Sequence, residues 1–132
     1  MNPPAIAAFY SGLNALILLW LTVEVVLRRR SGRISLGDGG DEVMNRLIRG
    51  HANATETMPI ALILLILAEL LGAPGLALHG LGVLLTVGRL LHGLRFTGRG
   101  PMAFRLYGMA ATLIATVLLA LCVIGLAAGR LF

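Results

Sequence analysis

Lysine is absent from this 132-residue chain, and only 13% of its residues are charged, where a soluble domain carries about 25%. Six acidic residues stand against eleven arginines, so the formal charge of +5 is carried by guanidinium groups alone. A basic balance can signal nucleic acid. Here, however, the arginines flank apolar runs, the arrangement that sets membrane topology and meets lipid headgroups, and no nucleic-acid partner is expected. The one cysteine, Cys122, can form no intrachain disulfide. The three histidines, His51, His79 and His92, lack the close spacing of a zinc site, so no metal is expected. The run Gly37-Asp38-Gly39-Gly40 follows no strand and precedes no lysine, which excludes a phosphate-cradling loop. Pro/Ser-rich linkers and low-complexity tails are also missing, and 1–132 reads as a single domain.

What fills the chain instead is hydrocarbon. Hydrophobic residues make up 58% of it and the mean hydropathy is +0.90, more apolar surface than a water-soluble fold of this size can hide. A bilayer core about 30 Å thick takes roughly 20 residues of helix, and four segments reach that length, at about 5–27, 41–71, 76–96 and 102–128. Pro3 and Pro4 suit the start of the first helix, and Arg28, Arg29 and Arg30 close it. No basic run precedes that segment and no small-residue cleavage site follows it, so it is expected to persist as a helix. Ser31 to Gly40 forms a turn-rich loop, after which Asp41 and Glu42 place negative charge at the positive end of the second helix. Gly72 to Gly75 and Thr97 to Pro101 make the two later turns. The expected fold is an all-α integral membrane four-helix bundle.

Arginine placement orients it. Arg28, Arg29, Arg30, Arg33, Arg46 and Arg49 lie in or beside the first loop, and Arg95, Arg99 and Arg105 in or beside the third connection. The second connection has none and the C-terminal end only Arg130. By the positive-inside rule both arginine-rich loops are cytosolic and both termini outside. The Asn53-Ala54-Thr55 sequon would then lie on the cytosolic side within a helix and go unmodified.

Ionisable residues within a bilayer are costly and turn toward a bundle interior or a watery cavity. On the second helix Arg46, Arg49, Asn53 and Glu56 are three, four and three residues apart, which at about 100° per residue makes one stripe. His51 falls on the other side. Arg89, His92 and Phe96 repeat the spacing on the third helix, and Arg105 opens the fourth. The plain reading of the second-helix stripe is a solvated face whose arginines reach the headgroups. Glu56 is short and nearer the bilayer, and Arg89 lies seven residues inside Phe96, so a buried Glu56–Arg89 ion pair is expected. His92 reads either as an interhelical hydrogen-bonding residue or as part of a site. No serine or cysteine stands beside a base, so any nucleophile must come from outside, and the arginines ask for an anionic one.

The run from Arg46 to Pro59 has the pattern R-x-x-R-x-H-x-N-x-x-E-x-x-P at the start of the second of four helices. It resembles the signature of the membrane-associated proteins in eicosanoid and glutathione metabolism, the family of microsomal glutathione transferases and their leukotriene and prostaglandin synthase relatives. The four-helix length and the cytosolic first loop are similar across nearly the whole chain. The resemblance implies a homotrimer that binds glutathione between neighbouring subunits near the cytosolic face. By position, Arg49, Asn53 and Glu56 match the family's glutathione-contacting and structural polar residues. Arg89 and His92 match an arginine-x-x-histidine of the prostaglandin branch, and Arg105 matches the arginine held to stabilise the glutathione thiolate. Phe96 stands where several members have a glutathione-contacting tyrosine, Asn45 where many have glutamate, and Leu106 where the prostaglandin branch has serine. The resemblance thus implies glutathione binding rather than eicosanoid chemistry.

These readings combine into a membrane-bound glutathione-dependent transferase or peroxidase acting on lipophilic electrophiles or lipid hydroperoxides that arrive through the bilayer. Arg105 is the expected catalytic cation, since positive charge beside a sulfur favours the thiolate. Arg28, Arg30, Arg49, Asn53, Glu56, His92 and Phe96 are the expected glutathione-binding residues, with Arg46, His51 and Arg89 as structural polar residues. Two alternatives stay open. One is a small multidrug or ion transporter with Glu24 as its acidic residue, although Glu24 lies four residues before the arginine cluster and a coupling carboxylate belongs near the midplane. The other is a membrane scaffold with a degenerate site. The bias toward Arg, Ala, Leu and Gly suggests a bacterial inner membrane.

Overall fold

The computed structural model describes residues 3–131. Its elements are α1 (Ala5–Gly32), α2 (Glu42–Leu70), α3 (Gly75–Phe96) and α4 (Ala103–Leu131). Each is long and apolar enough to cross a membrane. The first helix runs on past Leu27 and carries the arginine cluster on its last turns, because arginine is a good helix former and cations complement the negative end of the helix dipole. It stops at Arg33, whose left-handed backbone (φ 53°) turns its N–H back onto the carbonyls of Arg29 and Arg30. Asp41 caps α2, its carboxylate accepting from the Met44 N–H at 2.7 Å.

At the opposite end the capping is tertiary. Pro4 offers α1 no side-chain cap, and Glu69, near the end of α2, accepts from the backbone N–H of Ile6 at 3.0 Å and of Ala7 at 2.6 Å. A carboxylate at a helix N-terminus satisfies orphan donors and meets the positive dipole end.

The second and third helices form the middle of the bundle, each packing on both α1 and α4, while α1 and α4 make no close backbone approach to each other. Ala61, Leu85 and Ala115 join α2, α3 and α4 at the centre. Tyr10, Leu65, Leu78 and Leu119 fill the end away from the arginines, and Leu21, Ala54 and Met58 the other. Leu16, Leu19 and Val23 on α1 and Leu113, Val117, Leu121 and Ile124 on α4 are exposed, an apolar surface suited to a bilayer interior. Association of such helices relies on close backbone approach at small residues. A Cβ on Gly108 of α4 would lie 2.7 Å from both the Gly88 carbonyl oxygen and the His92 nitrogen of α3. One on Gly50 of α2 would run into Phe96.

Candidate functional site

The alternating direction of the helices brings the ends of α1 and α3 and the starts of α2 and α4 to the arginine-rich end. There α2, α3 and α4 surround an open cavity of about 430 Å³, within the size range of small-molecule sites. Arg46, Arg49, Asn53 and Glu56 form one wall, as their spacing predicts; His92 and Phe96 come from α3 and Arg105 from α4. Glu42, Asn45, Ala52 and Met109 complete the lining; the sequence points to Asn45 as a site position and to Glu42 only as a charge at the helix start. Three guanidinium groups thus face two carboxylates, leaving the cavity electropositive.

Several contacts hold this lining in place. The Arg46 Nε donates to the Phe96 carbonyl at 3.0 Å, tying α2 to the end of α3. The ring of His92, which is 2% exposed, stacks on Phe96 with centroids 4.5 Å apart and planes 25° from parallel. The Arg105 guanidinium lies 6.0 Å from the Phe96 ring centre, the outer reach of a cation–π contact. Arg49, Glu56 and Arg105 are exposed, so the cavity is open on their side.

Behind the wall lies Arg89, 2% exposed, and its partners correct the sequence expectation. Glu56 does not pair with it. Its Nη1 donates to Asn53 Oδ1 and to Thr57 Oγ1, each at 2.9 Å, and its Nε to Thr112 Oγ1 at 2.8 Å. The ion pairs among the described residues are Arg28 with Asp41 and Arg99 with Glu24. Adjacent residues point about 100° apart around a helix, so when Thr57 turns toward α3, Glu56 turns to the cavity mouth. There it is exposed, and burying it against Arg89 would carry a desolvation cost that can exceed what the pair returns. Thr57 and Thr112 were missed in the sequence. Their signal was spacing: Thr57 is one turn beyond Asn53, and Thr112 two turns beyond Arg105.

Two expected binding residues lie away from the cavity. Arg28 is committed to Asp41, with its Nε 3.3 Å from Oδ1, because the Asp41 carboxylate that caps α2 is the anion beside it. Arg30 is exposed on the last turn of α1. His51 sits on the α1 side of α2, its Nε2 3.1 Å from Thr22 Oγ1. Glu24 accepts from Trp20 Nε1 at 3.0 Å and from Arg99 at 2.6 Å, clasping α1 to the α3–α4 connection.

The Arg28 hydrogen bond, helped by the Met44 N–H, holds the Asp41 carboxyl below its usual value of 3.8. A depressed folded-state pKa contributes stability above the unfolded value and loses it as pH falls through the folded one. Protection of the Met44 amide from hydrogen exchange should therefore persist down to about pH 4 and decline below it, and Asp41→Asn should abolish that decline. Loss of protection already near neutral pH would contradict this role.

A family model for the MAPEG family matches residues 7–125, a span that includes part or all of every helix. The chain belongs to the MAPEG family. "Inner membrane protein YecN" of Escherichia coli strain K12 is 38% identical over 116 residues, covering 88% of each chain. The protein of the same name from Escherichia coli O6:H1 strain CFT073 matches equally. Membership of MAPEG and four spanning helices make this an integral membrane protein, and the cavity gathers most of the polar residues of the Arg46 to Pro59 run.

Proposed function

We propose that this MAPEG protein is a glutathione-dependent transferase or peroxidase of a bacterial inner membrane, working as a homotrimer with its arginine-rich face in the cytosol. The observation that carries the reading is one cavity lined by Arg46, Arg49 and Arg105 against Glu42 and Glu56. Glutathione has two carboxylates, one ammonium and one thiol. Arg46 and Arg49 suit the carboxylates and Glu42 or Glu56 the ammonium, which leaves the thiol for the part of the cavity between Arg105, Phe96 and Met109.

An arginine offers charge and donors but no base, so Arg105 would act by stabilising the thiolate while the thiol proton leaves to water. The thiolate then attacks an electrophilic carbon, the C–S bond forming as the leaving group departs with its electron pair. With a hydroperoxide it attacks the terminal oxygen and the O–O bond breaks, giving an alcohol and a sulfenic acid that a second thiol reduces to a disulfide and water. Met102, Leu106 and Met109 extend an apolar groove from Arg105 along α4, where a substrate dissolved in lipid can approach. A neighbouring copy would cover the open side of the cavity.

Titration of the detergent-solubilised protein with glutathione tests the reading. Saturable binding should appear together with the ultraviolet absorbance of a thiolate at neutral pH. Absence of binding would overturn it, and proton-dependent substrate flux in liposomes would put transport in its place.

A further inference from the structure

The directions of the hydrogen bonds around Arg89 follow from chemistry alone. A guanidinium only donates. Thr57 Oγ1 donates to the Asn53 carbonyl at 2.7 Å and Thr112 Oγ1 to the Gly108 carbonyl at 2.8 Å, so each hydroxyl has used its one hydrogen on its own helix and can only accept from Arg89. The orientation of the Asn53 amide follows from Arg89 as well. The atom 2.9 Å from Arg89 Nη1 must be its oxygen, since two donors cannot face each other. The Asn53 Nδ2 is then left without a hydrogen-bond partner among the described residues, and it is not among the sealed-off polar atoms, whereas Arg89 Nη2 is. Asn53 itself lines the cavity.

We infer that Arg89 is a positioning residue that locks the Asn53 side-chain amide with its NH₂ group toward the cavity. That wall thereby presents a donor and selects an occupant with a carbonyl or carboxylate oxygen at that point. The inference rests on the cavity being the binding site proposed above. Charge acts in the same direction. Arg89 is held by three neutral oxygens with no carboxylate in contact among the described residues, so its positive charge stands uncompensated behind the amide it polarises, and charge-assisted donors are the stronger ones. A freely turning amide would offer its oxygen half the time and repel the same group.

The first arm of the test needs no ligand. In protein carrying isotope-labelled asparagine, the Asn53 NH₂ signal, assigned by its loss in Asn53→Asp, should be broadened by a water-soluble paramagnetic chelate. The NH₂ of Asn14, bonded to the Tyr10 carbonyl and Thr86 Oγ1 in the core, should be shielded. A shielded Asn53 signal overturns the inference whether or not glutathione binds. If Asn53 is broadened but wild type binds no glutathione, the proposed function fails while the amide orientation stands.

The second arm uses binding. Asn53→Asp keeps an acceptor for Arg89 and should melt no lower than wild type. It should nonetheless bind glutathione about 10- to 100-fold more weakly, because a donor has become an anionic acceptor. Unchanged affinity overturns the inference. Asn53→Ala should weaken binding about tenfold when Arg89 is present and much less in an Arg89→Met background. An equal loss in both backgrounds would reduce Arg89 to a purely structural role.

Discussion

Arg105→Ala is expected to cut glutathione-conjugating activity about 20-fold at pH 7 and to leave it nearly unchanged at pH 9. A free thiol with a pKa of about 8.5 is only a few per cent thiolate at pH 7, whereas a drop of two units makes it roughly three-quarters thiolate. That shift corresponds to about 2.7 kcal/mol, within reach of one close cation once a neighbouring copy covers the open side of the cavity. Arg105 lies in the first turn of α4, so its charge adds to the positive end of the helix dipole. At pH 9 a free thiol is already mostly ionised and the advantage disappears. Arg105→Lys should keep part of the activity. A pH–rate profile with a lipophilic electrophile reads this directly. An equal loss at both pH values would mean that Arg105 binds the tripeptide without activating its sulfur.

Gly108→Ala should be the most damaging small substitution in the bundle, costing about 3 kcal/mol of stability and most of the glutathione affinity. The added Cβ would lie 2.7 Å from backbone atoms of Gly88 and His92, which have no rotamer by which to move aside. Relief requires α4 to part from α3. That movement would carry Arg105 away from Phe96 and Thr112 away from Arg89, whose Nε depends on it. Gly125 of the same helix meets nothing within 4 Å, so Gly125→Ala should be neutral or slightly stabilising through helix propensity. Melting in detergent and glutathione titration of both variants check this. Equal melting of the two would show that α3 and α4 do not close at Gly108.

Much of the site was legible because its first wall is a property of one helix. Residues three and four apart share a face in any α-helix, so Arg46, Arg49, Asn53 and Glu56 line the cavity together. The groups from other helices were legible only as candidates. His92, Phe96 and Arg105 converge there within one chain, whereas Arg28 and Arg30 lie elsewhere on that chain, since short loops constrain which helix ends are neighbours without saying which side chains meet. The choice of Glu56 for Arg89 failed for a related reason. Opposite charge points to that pair, but Arg89 takes its contacts from three neutral oxygens that lie in the right directions, and its Nη2 has no partner among the described residues.

By itself the sequence determined what depends on nearest neighbours along the chain: four spanning helices, their approximate ends, the arginine-rich face and the polar stripe of α2. Hydropathy and a repeat of 3.6 residues are local quantities. Only the tertiary structure decided partners, giving Arg89 to Asn53, Thr57 and Thr112, Arg28 to Asp41, and the N-terminus of α1 to Glu69. Those choices turn on the rotation of each helix about its own axis. That rotation is set where glycine lets two helices close on each other, at Gly50 against Phe96 and at Gly108 against Gly88, a property of two surfaces at once that neither segment carries alone.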